Sequence, residues 1–172
     1  LVAFAIILDM RGIKLQIGNN GGSISFTMVP LFILSIRQGP FKGFIGCGLI
    51  YGFITCLLDG WGFIYLPFDY VLGYGVIGLS GFLHLLILNN ENKFKFKGII
   101  GIVCAVIICS SLRLISSTIS GILFTELDFI ASLIYNFNYI FWSMLGTLII
   151  LIILYKPLLL INSKVNSRYS FK

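Results

Sequence analysis

Long apolar runs, separated by short polar stretches, make up most of the chain. Six apolar segments can be distinguished, at residues 1–15, 22–38, 41–58, 68–88, 98–124 and 131–161. A helix needs about 20 apolar residues to cross a bilayer. The pattern therefore predicts six transmembrane helices, of which the last two are long enough to tilt or to protrude. The chain begins at Leu1 without a methionine, and we interpret its short first segment as an N-terminal truncation.

The composition places the whole chain in the membrane. Of its 172 residues, 58% are hydrophobic and only 10% are charged, whereas soluble domains carry about 25% charged residues. No stretch is polar enough to form a separate soluble domain. We therefore expect an all-α integral membrane protein, in which residues 1–172 form one domain built as a bundle of six transmembrane helices.

The positions of the charges predict the orientation. Lysine and arginine fall in two alternate loops and in the C-terminal tail, at Arg37, Lys42, Lys93, Lys95, Lys97, Lys156, Lys164, Arg168 and Lys172. Cytoplasmic loops are enriched in these residues, so this side and the C-terminus are predicted to be cytoplasmic, in a plasma-membrane protein. Arg11 and Lys14 lie on the opposite side, together with five of the six acids, Asp9, Asp59, Asp69, Glu126 and Asp128. The net charge of +6 thus reports topology and not binding to nucleic acid.

Motifs for catalysis, metal binding and nucleotide binding are missing from the sequence. The chain has no nucleophile–base pair, no metal-ligand cluster and no GxxxxGK[ST] loop, so it is not expected to be an enzyme, and any transport must draw its energy from a partner. The stretch "GYGVIG" from Gly73 to Gly78 lies in an apolar helix. Together with the Gly48–Gly52 step, it predicts close helix packing and not a dinucleotide site.

Three polar features gather at the predicted outer side. They are "DGWGFIYLPFDY" at 59–70, the hydroxyl-rich "CSSLRLISSTISG" at 109–121 with Arg113, and "SLIYNFNY" at 132–139. Each has a structural explanation: Asp69 can stabilise a helix start, serine and threonine can bond to their own helix, and Arg113 can pair with an acid or with carbonyl groups. Together they supply a carboxylate, aromatic faces, amides and hydroxyls, which suit a flat organic cation.

The same stretches carry a family resemblance. Residues 21–54, "LDGWGF", "DYVLGYGVIGLSGF", "RLISSTISGILF" and "SLIYNFNY" resemble, in order, the thiamine-specific S components (ThiT type) of energy-coupling factor (ECF) transporters. The resemblance implies a membrane subunit that binds a vitamin from outside. A coupling subunit and two ATPase subunits would then drive its release inward. It also implies that small residues of the first helix, here Ala3 and Ala5, contact the coupling subunit.

The resemblance further implies substrate-binding positions at Asp69, Tyr70, Phe63 and Asn136. Three positions depart from the family pattern, because Ser117, Thr125 and Ala131 stand where a histidine, an aromatic residue and a tyrosine are expected. We keep Ser117 among the site residues, and Trp61, Tyr65 and Tyr135 are candidates to replace the missing aromatics. A different vitamin, a thiamine precursor, or a structural bundle without a ligand are the alternative interpretations.

Overall fold

The computed structural model describes residues 1–10, 13–16, 22–88, 95–125 and 127–169, with side chains omitted at 16, 95 and 164–169. Six helical segments follow one another through this part of the chain. They are α1 (Val2–Leu8), α2 (Met28–Gln38), α3 (Pro40–Asp59), α4 (Phe63–Leu88), α5 (Lys95–Thr125) and α6 (Phe129–Tyr169). Helices α3 to α6 are long and apolar enough to cross a membrane, and α2 is a shorter apolar helix. The predicted all-α membrane fold with six helices is confirmed.

The connection between α1 and α2 differs from the prediction. Helix α1 ends at Leu8, and two short strands, β1 (Leu15–Gln16) and β2 (Ser23–Ile24), form an antiparallel ribbon before α2 begins. The apolar segments predicted at 1–15 and 22–38 are therefore too long as helices. Hydropathy alone cannot distinguish an apolar residue in a ribbon from one in a helix. Arg11, Lys93, Glu126 and Lys172, which were used to predict the orientation, lie outside the described residues.

Helices α3 and α4 contain wide turns that face each other. Ile45–Tyr51 in α3 and Leu66–Leu72 in α4 are π-helical. A Cβ atom at Gly48 would lie 2.7 Å from the carbonyl oxygen of Val71, and one at Gly78 would lie 2.6 Å from the backbone nitrogen of Phe44. The two backbones touch only because glycine occupies these positions, as the glycine spacing predicted. π-Helical turns are frequent at functional sites.

Every helix contributes to the buried core. Fully buried side chains come from all six helices, namely Ala5, Phe32, Tyr51, Ile77, Val106 and Leu151. The prediction that Ala5 contacts a coupling subunit is wrong, because its side chain points into the bundle and has no exposed surface. Ala3 is exposed, and its contact with a partner stays a prediction.

Candidate functional site

A cavity of about 530 Å³ lies at the end of the bundle where the α1–α2, α3–α4 and α5–α6 connections meet. We call this the outer end, following the predicted orientation. The ribbon, the α3–α4 junction and helices α4, α5 and α6 all contribute to its wall. The backbone N–H of Gly22, next to β2, donates a 2.6 Å hydrogen bond to the Tyr135 hydroxyl on α6. This hydrogen bond holds the ribbon next to α6 at one side of the cavity.

Most of the residues that were predicted to bind substrate line this cavity. They are Trp61, Tyr65, Asp69, Tyr70, Ser117, Tyr135 and Asn136. Phe63 does not belong to the lining, because its side chain is 60% exposed and its ring packs against Phe53 with centroids 6.3 Å apart. The short 3₁₀ turn Phe63–Tyr65 directs Tyr65 towards the cavity and Phe63 away from it. The prediction that Phe63 shares the site is therefore wrong.

Asp69 is held at the start of α4 by hydroxyl groups of α5. It falls in the first turn of the π-helical segment that begins with Leu66–Pro67. Ser120 donates a hydrogen bond to its carboxylate, and Ser116 donates a 2.6 Å bond to the neighbouring carbonyl of Phe68. Among the described residues, no basic group lies within 4.0 Å of the carboxylate. The carboxylate is thus oriented by a neutral donor, and its charge is not neutralised by an ion pair.

A second group of charges on the cavity wall is linked by ion pairs and carries a net formal charge of −1. The Lys14 ammonium lies 2.8 Å from Asp59 and 3.3 Å from Asp9, and the Tyr70 hydroxyl donates a 3.1 Å bond to Asp59. Burial lowers the pKa of Lys14, but the hydrogen bond to Asp59 and the two negative charges outweigh it and raise the pKa overall. Lys14 therefore stays charged at neutral pH. The sequence does not reveal this group, because Lys14 and Asp59 are 45 residues apart.

Asn136 is tied into the contact between α5 and α6. Its amide nitrogen donates to the carbonyl of Ser132 at 2.9 Å and to that of Ser117 at 3.2 Å. Its amide oxygen accepts a 2.7 Å bond from the Tyr139 hydroxyl. Since both amide protons have protein acceptors, a ligand can reach Asn136 only through the oxygen, or indirectly through Tyr139.

Arg113 lies on the cavity wall and is 8% exposed. The central carbon of its guanidinium is 4.1 Å from the centre of the Tyr74 ring, a cation–π arrangement. The sequence singled out Arg113 as an unusual residue and left its partner open. In the structure, the aromatic ring of Tyr74 lies against the guanidinium group, where an acidic partner was one of the expectations.

The lining suits a small organic cation. Three aspartates line the cavity together with Lys14 and Arg113, which leaves a formal charge of −1 on the lining side chains. Tyr65, packed edge-on against Phe124 at 5.7 Å, and Tyr135 offer aromatic surface. Within the described residues, no group of three or more His, Cys, Asp or Glu could hold a metal ion. The volume falls in the range of about 300–1,000 Å³ that is usual for small-molecule sites.

Comparisons with known proteins identify the family. Residues 1–162 match a family described as thiamine transporter protein (Thia_YuaJ). Thiamine transporter ThiT of Bacillus subtilis (strain 168) is 32% identical over 167 residues, which cover 90% of this chain and 86% of that protein. A solved structure of ThiT from Listeria monocytogenes matches with a TM-score of 0.76 at 26% identity, and covers 91% of this chain and 89% of that one.

Proposed function

The chain belongs to the thiamine transporter protein family, a family of transporters and not of enzymes, and on that premise we propose that it is the thiamine-binding S component of an ECF-type importer. One observation carries the proposal: Asp69, without an ion-pair partner among the described residues, lies in a cavity with aromatic walls. Thiamine joins a positively charged thiazolium ring to a neutral aminopyrimidine ring. Asp69 supplies the counter-charge for the first, and flat aromatic side chains suit both rings.

The remaining site residues have different roles in this proposal. Trp61, Tyr65 and Tyr135 provide ring surfaces in place of the aromatics that are missing at Thr125 and Ala131. Tyr70 donates its hydroxyl to Asp59, so it shapes the wall next to Asp69. Asn136 positions the Tyr139 hydroxyl, and Ser117 lines the wall beside it.

Transport in this proposal needs further subunits. The sequence has no phosphate-binding loop for ATP, so a coupling subunit and two ATPase subunits would supply the energy. The cavity would open to the outside, and the C-terminus would lie in the cytoplasm, as the basic loops predict. Ala3, exposed on α1, is the remaining candidate contact for the coupling subunit.

Tryptophan fluorescence of the purified protein tests the binding proposal directly. The chain has two tryptophans, of which Trp61 lines the cavity and Trp142 does not. A Trp142→Phe background therefore leaves Trp61 as the reporter. We expect saturable quenching by thiamine, and a weaker effect from its neutral pyrimidine half. Trp61→Phe, with Trp142 kept, is the control and should abolish the signal. An absence of saturable thiamine binding, by fluorescence and by calorimetry, would contradict the proposal.

A related ligand is the second candidate. Thr125 and Ala131 both line the cavity, and they are smaller than the aromatic side chains that the family pattern leads us to expect there. Space on that side favours a ligand with a different outline, such as a thiamine precursor or another flat-ringed vitamin. The same titration with a panel of such compounds decides between the candidates by rank of affinity.

A further inference from the structure

A groove lies at the inner end of the bundle, opposite the ligand cavity. It has a volume of about 380 Å³, and its wall is formed by the turn between α2 and α3 and by the last part of α4. Gly81 lets this turn rest directly on α4, because a Cβ atom there would overlap the carbonyl carbon of Gly39. Arg37, at the end of α2, and His84, in α4, are the basic residues of the groove. The groove therefore joins two cations from different helices.

The groove lies where the hydrocarbon core of the bilayer meets the headgroups. The chain turns at Gly39, which has a φ of 85°, and α3 begins at Pro40. Such a turn belongs at the edge of the hydrocarbon core, since the helices do not satisfy its polar backbone groups. On the α4 side, Phe82 and Leu85 are 71% and 74% exposed. They precede the end of α4 at Leu88 by about 9 and 5 Å, so the rim of the groove offers apolar surface to acyl chains.

The polar part of the groove is positively charged. Arg37 is half-buried and has no acidic side chain within 4.0 Å among the described residues. The described acids belong to the outer end of the bundle, and they are Asp9, Asp59, Asp69 and Asp128. Glu91, between α4 and α5, lies outside the described residues. The field in the groove therefore favours an anion.

His84 has one ring nitrogen available for a ligand. Its Nδ1 atom lies 2.7 Å from the carbonyl oxygen of Ile36. Because a carbonyl oxygen can only accept, Nδ1 carries a proton and Nε2 is the nitrogen that remains. A neighbouring phosphate group favours the doubly protonated ring, in which Nε2 donates as well. His84 and Arg37 can then donate to the same anion.

We propose that this groove binds the phosphate group of an anionic phospholipid, with Arg37 and His84 at the headgroup and the apolar rim along the acyl chains. Basic pockets between transmembrane helices bind such headgroups. A soluble phosphate ester would pair with the cations and leave Phe82 and Leu85 uncovered, whereas a lipid matches both parts of the groove. The site is separate from the ligand cavity and does not depend on the proposed function.

Thermal unfolding of the purified protein in a neutral detergent tests the proposal. The probes are phosphatidylglycerol and zwitterionic phosphatidylcholine with the same acyl chains, and the dependence of Tm on lipid concentration gives an apparent Kd for each. The parent protein should bind phosphatidylglycerol at least about fivefold more tightly, because one basic residue near a membrane surface contributes about that factor. Arg37→Gln should weaken this binding about fivefold. Lys156→Gln removes an exposed lysine of α6 outside the groove, and as the matched control it should stay within about twofold of the parent protein.

Three results would overturn the proposal. The first is equal binding of the two lipids by the parent protein. The second is an equal effect of Arg37→Gln and Lys156→Gln, which would indicate general attraction to a basic surface. The third is an equal shift in Tm by glycerol 3-phosphate at the same concentrations, which would indicate a site for soluble phosphate esters. If Arg37→Gln unfolds too easily to be titrated, His84→Asn, whose amide can still donate to the Ile36 carbonyl, takes its place and should show the same loss.

Discussion

Replacing Asp69 with asparagine removes one negative charge from the cavity and leaves the local geometry almost unchanged. Ser120 can donate to an amide oxygen as it does to the carboxylate. The formal charge of the lining side chains rises from −1 to zero, because the two remaining aspartates, Asp9 and Asp59, then balance Lys14 and Arg113. Any change in affinity then reports the charge of Asp69 and not a loss of shape.

The expected loss of affinity is large. Removing one partner of a desolvated charge pair costs about 2–5 kcal/mol, which is on the order of 30- to 4,000-fold in Kd. The matched comparison is Tyr65→Phe, which removes one neutral hydroxyl at the same cavity and keeps the ring against Phe124. Its loss should be about 0.5–1.5 kcal/mol at most. A carboxylate that only stabilises the start of α4 contributes about 0.3–1 kcal/mol to folding and nothing to affinity.

Fluorescence titration in the Trp142→Phe background, with Trp61 as reporter, measures both affinities. Thermal melting of the same samples without ligand measures stability. The charge-pairing role predicts a large increase in Kd for Asp69→Asn, a small one for Tyr65→Phe, and similar melting temperatures. If Asp69→Asn binds thiamine within about twofold of the parent protein while its melting temperature falls, the helix-start explanation is correct and the pairing role is wrong.

Three further predictions concern packing, protonation and partners. Gly78→Ala should lower stability by about 1–3 kcal/mol, because its Cβ atom would lie 2.6 Å from the Phe44 backbone. Gly73→Ala is the control and should cost less stability, since its nearest contact is at 3.2 Å. Equal melting temperatures of the two variants would contradict close packing of the α3 and α4 backbones. The pKa of Lys14 is raised above its ordinary value of 10.5, so the stability that it contributes is fully present below about pH 10.5 and is lost as the pH rises through the higher folded-state pKa. The difference in melting temperature between the parent protein and Lys14→Gln should therefore shrink only above that pH, and a decline already near pH 8 would count against the ion pair. Uptake of thiamine into cells should require co-expressed coupling and ATPase subunits, and ATP-driven uptake by vesicles that contain this chain alone would refute the requirement.

Local composition was sufficient to predict the membrane class, the number of helices and the end of the bundle where polar groups gather. These properties depend on the summed hydropathy of about 20 residues and on the charges between segments, and both can be read directly from the sequence. The glycine spacing was equally informative, because only glycine lets the backbones of α3 and α4 touch at Gly48 and Gly78. The ordered motifs indicate the family from the sequence alone.

The tertiary structure decided which side chains share the cavity and which of them are already paired. Phe63 and Tyr65 are two residues apart in one turn and point in different directions, since a 3₁₀ turn that continues into a π-helix follows no simple period. The pairing of Lys14 with Asp59 brings together residues that no local pattern relates. For the same reason, only the folded chain shows that Asp69 has no ion-pair partner among the described residues, because an ion pair depends on distance in space and not on separation in sequence.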